Sequence, residues 1–355
     1  MPERVLIVAG GTGGHIYPAL AVAEVLRSEG IGLRWLGARG GMEERLVARH
    51  DIALDAVKVS GLRGRGLVGW LLAPMMLLTA TLQAVAAIRR FNPGVVLGMG
   101  GFVSGPGGLA AFLCRRPLVI HEQNAVAGLT NRVLSHLAGR VLEAYPGCFG
   151  ARGIETGNPV RAAIEALSGV TRPALSGRAV RLLVVGGSRG ARRLNEVLPA
   201  ALARAAVGTF EIRHQTGDAG LDATRAAYSA NAIDARVDAF IDDMPSAYAW
   251  ADLVVCRAGA MTLAEVTAAG LPSVLVPFPH AVDDHQTANA RYLAEAGAAV
   301  LVPEAELAPE QLANLLGALA AEPTRLAEMG QRARRLARPA AAARVAAHCL
   351  ELLRA

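Results

Sequence analysis

The 355-residue sequence predicts an α/β protein made of two similar Rossmann-like domains, each a parallel sheet covered on both faces by helices. Three observations predict it. Short Val/Ile/Leu runs alternate with helical patterns, glycine-rich turns follow the runs, and the opening strand–glycine loop–helix unit recurs near mid-chain. The length accommodates two ordinary domains. Hydrophobic residues make up 53 % of the chain and aromatic residues only 4 %, so the cores are expected to consist of Ala, Leu and Val.

The elements follow in order. Arg4–Ala9 reads as a buried strand that opens directly after Met1-Pro2-Glu3, with no leader pattern. Gly10-Gly11-Thr12-Gly13-Gly14-His15 follows, and Tyr17–Ser28 reads as a helix with Pro18 in its first turn. Next come strand Leu33–Leu36, helix Met42–Arg49, and strands Ala53–Val59, Val95–Leu97 and Leu118–Ile120. A Ser/Gly/Pro-containing stretch from Gly157 to Gly177 reads as a linker.

The pattern then restarts with strand Arg181–Val185, the loop Gly186–Ala191 and a helix from about Arg192. Strands Glu211–His214, Arg236–Phe240, Leu253–Cys256 and Ser273–Val276 follow. Helices Pro309–Ala320, Thr324–Leu336 and Ala340–Leu353 close the chain, with Pro339 separating the last two. Two doubly wound domains facing across a cleft would bring several strand carboxyl ends to one place, where open α/β sheets bind ligands.

Composition narrows the function. The formal charge is +6 and is carried almost wholly by Arg, Lys58 being the single lysine. Arg suits phosphates and anionic lipid head groups. No basic cluster interleaved with aromatics is present, so nucleic acid is not an expected partner. Cys114, Cys148, Cys256 and Cys349 are far apart, without zinc or redox spacing, and read as small buried hydrophobes. There is no D-x-D and no H-E-x-x-H, so nothing in the sequence calls for a metal, and no cofactor is expected.

The chemistry centres on Ala258–Glu265, directly after strand Leu253–Cys256. A helix that opens after small residues leaves backbone N–H groups and a positive dipole end for a phosphate. Glu265, about a turn further on, could accept from vicinal ribose hydroxyls. Alone, this stretch also fits an ordinary strand–helix turn. The first glycine loop is not a dinucleotide fingerprint: its third glycine position is Ile16, and the second strand ends in Gly37-Ala38-Arg39 without an acid. Neither loop ends as a Walker loop does. His15 on that loop is a candidate general base. Further polar runs follow strands: His121-Glu122-Gln123-Asn124, the glycine-dense Gly98–Gly108, and Pro279-His280 leading to Asp283-Asp284-His285-Gln286.

These pieces, Gly11–His15, Gly100–Pro106, His121–Asn124, Gly157–Arg161, Gly186–Ser188, Phe240–Met244, Ala260–Glu265 and His285-Gln286, stand in an order that closely resembles the MurG glycosyltransferases of bacterial cell-wall synthesis. The resemblance covers nearly the whole chain and implies the GT-B fold. It divides the chain into residues 1–160, joined by the helix at 338–355, as the acceptor-side, membrane-associated domain, and 161–337 as the UDP-sugar domain. It implies transfer of N-acetylglucosamine from UDP-N-acetylglucosamine to lipid I, giving lipid II, at the cytoplasmic face of the membrane. Ile241 would lie against uracil and Glu265 would take the ribose hydroxyls. Thr12 with Gly13 and Gly14, Ser188, and the turn Ala260, Met261, Thr262, Leu263 would hold the diphosphate. Arg161, Asn124 and Gln286 would also serve the donor. His15, Glu122, His121, Phe102 and Ser104 would lie toward the acceptor, with His15 the first choice of base and Glu122 the second. Phe102 departs from the Tyr expected in many members.

Gly66–Ile88 carries no charge and is long enough for a membrane span. Spanning would put strands Ala53–Val59 and Val95–Leu97 of one sheet on opposite sides of a bilayer. The residues alone leave a buried crossover helix and an exposed apolar face open. With a polyprenyl-linked acceptor, an apolar face rimmed by Arg63, Arg65, Arg89 and Arg90 becomes the expectation, as for a protein lying on an anionic membrane. The rival readings are a UDP-N-acetylglucosamine 2-epimerase of the same fold and a sugar-nucleotide-binding scaffold without turnover.

Overall fold

The structure is a computed structural model that describes residues 3–59, 66–170, 175, 177–187, 190–206 and 208–355, and for 66–72 the backbone alone. The chain divides into two compact units, Met1–Arg161 with Ala340–Ala355, and Ala162–Pro339.

The first unit runs β1 (Arg4–Val8), α1 (Gly13–Ser28), β2 (Gly32–Ala38), α2 (Met42–Ala48), β3 (Leu54–Val57), α3 (Gly66–Phe91), β4 (Val95–Gly98) and α4 (Ser104–Leu113). It continues through β5 (Leu118–Glu122), α5 (Leu129–Leu134), β6 (Arg140–Glu143) and β7 (Gly153–Glu155). Its seven-stranded sheet is parallel throughout, in the order β3-β2-β1-β4-β5-β6-β7. One face is filled by Val5, Ile7, Trp35, Val95 and Leu97 against α1, the other by Leu6, Val8, Leu36 and Val96 against Ala84, Ala87 and Ile88 of α3. Buried runs such as Val95–Gly98 are what a sheet covered on both faces requires.

The second unit contains α6 (Ala162–Glu165), β8 (Val180–Val185), α7 (Arg192–Leu202), β9 (Phe210–Gln215), α8 (Leu221–Ala230), β10 (Ala235–Asp238) and α9 (Met244–Trp250). Then come β11 (Leu253–Cys256), α10 (Ala260–Ala268), β12 (Ser273–Leu275), α11 (His285–Glu295), β13 (Ala299–Leu301), α12 (Pro309–Ala321) and α13 (Pro323–Leu336). Its six strands are again all parallel, ordered β10-β9-β8-β11-β12-β13. The last helix, α14 (Ala341–Arg354), packs on α1 of the first unit. Val345, Ala346, Cys349 and Leu353 enter that core. Burial of Val345 and Leu353 alone is worth about 3–6 kcal/mol by transfer. Arg344 ties the helix down by donating to the Thr156 carbonyl from Nε (3.0 Å) and Nη2 (2.7 Å).

Several elements differ from the sequence expectation. Helix α1 starts a turn early, because the Thr12 carbonyl already accepts from the amides of His15 (3.1 Å) and Ile16 (3.2 Å); Pro18 therefore lies inside the helix rather than in its first turn. Strand β5 runs on to Glu122, so His121 and Glu122 belong to the strand instead of following it. Strand β10 stops at Asp238, leaving Phe240 and Ile241 in the next turn. Short strands β6, β7 and β13 were not expected, and the linker stretch includes the helical turn α6. The expected rim residues Arg63 and Arg65 lie outside the described residues.

Two buried polar groups hold the loops and core in register. Glu43, on α2 and fully buried, accepts from the amides of Ala38 (2.7 Å) and Gly11 (3.2 Å), so the first glycine loop is fastened to α2. In the second unit His214 is buried between the Tyr228 hydroxyl (Nδ1, 3.0 Å) and the Asn195 carboxamide oxygen (Nε2, 3.1 Å). Burial pushes its pKa down from 6.5 to about 3.

Replacing Glu43 by Ala removes the charged acceptor of two part-buried amides and should cost the first unit about 2–4 kcal/mol, read as a lowered urea midpoint, while exposed Glu24→Ala leaves it unchanged. For His214 the folded pKa lies below the unfolded one. The stability it contributes is complete above pH 6.5 and drains away as pH falls toward the folded value. Between pH 7 and pH 5 the loss should be about 2 kcal/mol, and urea curves of His214→Asn should show a correspondingly flatter pH dependence.

Candidate active site

In each unit the strand order reverses beside its first strand, between β1 and β4 and between β8 and β11. Connections leave such a point in opposite directions and open a crevice at the strand carboxyl ends. Loops Gly10–Thr12 and Met99–Val103 emerge at the first reversal, and Gly186-Gly187 and Arg257–Gly259 at the second. The glycine-rich stretches picked out in the sequence thus sit where an open sheet takes its ligand.

At the second reversal, α10 opens at Gly259, its N-cap, without a side-chain cap and without an acid in the first turn. The positive end of the helix is therefore unopposed by any carboxylate of its own, as an anion seat requires. Ala260 and Leu263 are buried, whereas Met261 and Thr262 are half-buried at the opening. Glu265 follows beyond the first turn and accepts from the Tyr248 hydroxyl through Oε2 at 3.1 Å. The turn before the helix is held from behind: the carboxamide of fully buried Asn289 donates to the Ala258 carbonyl (3.2 Å), and Arg257 pairs with Glu304 and stacks on Phe278. Ile241 is half-buried in the turn after β10, and Asp243 caps α9 by accepting from the Ser246 amide (3.0 Å). Gln286 uses its Oε1 to accept from the Phe278 amide (2.9 Å). Ser188 lies outside the described residues.

At the first reversal, Thr12 caps α1 through its backbone only, and Gly13 and Gly14 are its first two residues. His15 follows on the same turn, half-buried, with Nδ1 3.0 Å from the Gln123 Oε1. Its ring lies against Gly100, where a Cβ would come within 2.5 Å of Nδ1. The Gln123 Nε2 donates to the Met99 carbonyl (3.0 Å) and to the His121 Nδ1 (3.1 Å), and His121 in turn donates from Nε2 to the Gly157 carbonyl (2.9 Å). Burial lowers the His121 pKa to about 4, against smaller opposing effects of the Gly157 hydrogen bond and Glu122.

The remaining first-unit residues sort by what they touch. Glu122 is buried with both oxygens filled: Oε1 accepts from the Asn124 amide and carboxamide (3.1 Å each), and Oε2 from the Gly128 amide (3.2 Å) and the Asn131 carboxamide (2.9 Å). Ser104 is fully buried, donating to the Gly100 carbonyl (2.8 Å) and accepting from its amide (3.0 Å). His121 is likewise fully buried, with both ring nitrogens used inside the protein. His121 and Ser104, expected to lie toward the acceptor, are thus buried, and their side chains are engaged inside the protein. Phe102 is exposed on the glycine loop, and Arg161 stacks over Tyr17 at 5.7 Å. Thr12, Gly13, Gly14, Asn124 and Arg161 belong to the first unit; Ile241, Ala260–Leu263, Glu265 and Gln286 belong to the second.

Sequence reasoning assigned no role to Gln123, Tyr248, Asn289 or Glu43. Gln123 stood in the polar run after β5 and could have been singled out there. The other three carry no local signal. Among the described residues no group of three or more His, Cys, Asp or Glu side chains is arranged to hold a metal.

On the first unit, Met75, Leu78 and Leu82 of α3 are exposed at positions that share one helical face. Phe112 and Leu113 of α4 and Leu129 and Val133 of α5 are exposed as well, α4 packing against both α3 and α5. Arg89, Arg115 and Arg132 are exposed on the same three helices or just beyond their ends. Among the described residues no helix is long and apolar enough to cross a membrane.

Comparison with known proteins gives a consistent answer. Residues 5–143 match the glycosyltransferase family 28 N-terminal domain, and residues 181–345 the family 28 C-terminal domain. A UDP-N-acetylglucosamine–N-acetylmuramyl-(pentapeptide) pyrophosphoryl-undecaprenol N-acetylglucosamine transferase of Alkalilimnicola ehrlichii is 56 % identical over 99 % of both chains. The crystal structure of Acinetobacter baumannii MurG superposes with a TM-score of 0.84 at 40 % identity, covering 99 % of this chain and 100 % of that one. A UDP-GlcNAc 2-epimerase from Neisseria meningitidis, at 13 % identity and a TM-score of 0.68 over 98 % of this chain and 100 % of its own, shares the fold alone. Two family 28 domains, each a parallel sheet reversing at a glycine-lined crevice, and close identity over the full length establish the GT-B fold and assign the chain to the MurG family of glycosyltransferases.

Proposed function

We propose that this chain transfers N-acetylglucosamine from UDP-N-acetylglucosamine to the C4 hydroxyl of the N-acetylmuramyl group of lipid I, forming lipid II with inversion at the anomeric carbon. One observation carries the donor half: at the β8/β11 reversal an acid-free helix opening stands next to a carboxylate, Glu265, held in place by Tyr248. The pyrophosphate lies at Ala260–Leu263, Glu265 takes the ribose hydroxyls, and Ile241 meets the uracil. The identity with transferases that carry this activity in their names supports the choice of sugar and acceptor.

His15 is the base in this reading. Glu122, with every oxygen already accepting two hydrogen bonds, orders the Asn124–Asn131 loop instead. The His15 Nε2 removes the acceptor hydroxyl proton as that oxygen bonds to the anomeric carbon. The bond to the β-phosphate oxygen breaks with its electron pair, and UDP leaves. The α10 opening meets the charge that develops on the leaving diphosphate, an interaction preorganised by backbone and therefore requiring no reorganisation during transfer. Asn124, Arg161 and Gln286 serve the donor, Phe102 the acceptor.

Because the acceptor's polyprenyl chain stays in the bilayer, the enzyme works as a peripheral protein on the cytoplasmic face of the membrane. The exposed apolar stripe of α3, with the apolar ends of α4 and α5 and the Arg residues around them, supports contact with an anionic surface.

The direct test combines a lipid I analogue with UDP-N-acetylglucosamine in EDTA and measures UDP release. Turnover is expected, with no manno epimer when acceptor is omitted; epimer formation or loss of turnover to EDTA would overturn the proposal. His15→Ala should lower kcat by roughly 10²–10⁴-fold while leaving donor binding nearly intact. For the membrane contact, Leu78→Glu combined with Leu82→Glu should abolish cosedimentation with anionic liposomes at low salt and spare turnover on a soluble acceptor analogue. Undiminished liposome binding would remove α3 from the membrane surface.

A further inference from the structure

We propose that Gln123 is a positioning residue that holds the neutral His15 imidazole in one tautomer, with its proton on Nδ1 and its basic lone pair on Nε2. This rests on the reading of His15 as the base and adds the device that makes it one. The argument starts at the far end of a buried chain of hydrogen bonds. The Gly157 carbonyl can only accept, so the His121 Nε2 facing it at 2.9 Å carries a proton. With burial lowering the His121 pKa to about 4, that ring is neutral near pH 7, and its Nδ1 is a bare acceptor. The group 3.1 Å away must then be a donor, which makes it the NH₂ of Gln123.

The Met99 carbonyl, 3.0 Å from the same nitrogen, demands the same orientation. Rotating the carboxamide by half a turn would set its oxygen against a carbonyl oxygen and an imidazole lone pair at once. Gln123 is buried, so no water can rescue that arrangement. Its Oε1 therefore faces His15, and the His15 Nδ1 at 3.0 Å must donate to it. Two acceptors fixed by the backbone, Gly157 O and Met99 O, thus decide through His121 and Gln123 which nitrogen of His15 is the base. Gly100 adds a steric wall against the same ring.

The consequence for transfer is specific. The acceptor proton arrives on Nε2, and the imidazolium that forms keeps its Nδ1–H on a neutral carboxamide oxygen. No compensating carboxylate sits on that nitrogen, so Gln123 orients the ring without neutralising it.

The test uses full-length protein labelled with ¹⁵N at its eight histidines, the His15 signals being identified by their loss in His15→Asn. The wild type should show the neutral His15 protonated on Nδ1. Gln123→Met, apolar and of similar length, should give a mixture of tautomers. It should also lower kcat roughly ten- to a hundredfold while the KM for UDP-N-acetylglucosamine stays within about twofold. Gln123→Glu, which in its protonated form can accept from His15 and donate to Met99, should restore the Nδ1–H tautomer and most of kcat. A wild-type proton on Nε2, or a Gln123→Met enzyme with tautomer and kcat unchanged, would overturn the proposal. Should Gln123→Met not fold, the wild-type and Gln123→Glu spectra decide it alone. If the tautomer is as stated and His15→Ala still turns over, the base reading fails and the positioning role falls with it, while the hydrogen bond itself stands.

Discussion

The architecture depends on backbone meeting backbone at the carboxyl ends of the strands. At the first reversal, a Cβ on Gly101 would lie 2.0 Å from the Gly10 carbonyl oxygen, and Gly101 holds φ at +84°. In the second unit, a Cβ on Gly190, in the loop after β8, would lie 2.1 Å from the carbonyl oxygen of Thr216, at the end of the neighbouring strand β9. Only glycine permits two loops to pass this closely, and the close passage brings helix openings and polar side chains to the crevice floor.

Three buried glutamates fasten loops in the first unit by the same means. Glu43 accepts from the Gly11 and Ala38 amides, Glu122 from Gly128 and Asn124, and Glu143 from Gly147 (2.8 Å) and Phe149 (2.9 Å). A carboxylate buried without partners would be costly, but one supplied with several N–H donors is a strong, charge-assisted clamp. This distinction separates the two acids that a reading of polar residues treats alike. Glu122 has both oxygens filled by donors of its own loop and of α5, whereas Glu265 accepts from Tyr248 and sits on the helix that opens at the second crevice.

The two crevices differ in how they handle charge. The second offers a helix opening with no acid in its first turn, a fixed positive end. The first offers a hydrogen-bonded chain from His15 through Gln123 to His121, in which burial keeps the inner histidine uncharged. A fixed dipole suits a diphosphate that gains charge as it leaves; a neutral imidazole suits a hydroxyl that must lose a proton. In the proposed reaction each unit brings its own half of the chemistry, built from its own strand ends.

Much of this was legible in the residues themselves. Alternating strand and helix patterns, the mid-chain restart at Arg181 and the strand Leu253–Cys256 ahead of a small-residue turn determined the two parallel sheets and the helix opening after Gly259, because hydrophobic period and glycine placement are local signals. The short strands β6, β7 and β13 escaped because three or four residues, some exposed, are too few to show a period. What only the tertiary structure decided is which polar groups meet. Gln123 reaches Met99, His121 reaches Gly157, Tyr248 reaches Glu265 and Asn289 reaches Ala258, each pair brought together by neighbouring elements rather than by neighbouring sequence. A hydrogen bond is specified by position in space to within a few tenths of an ångström, and no periodicity along a chain encodes that.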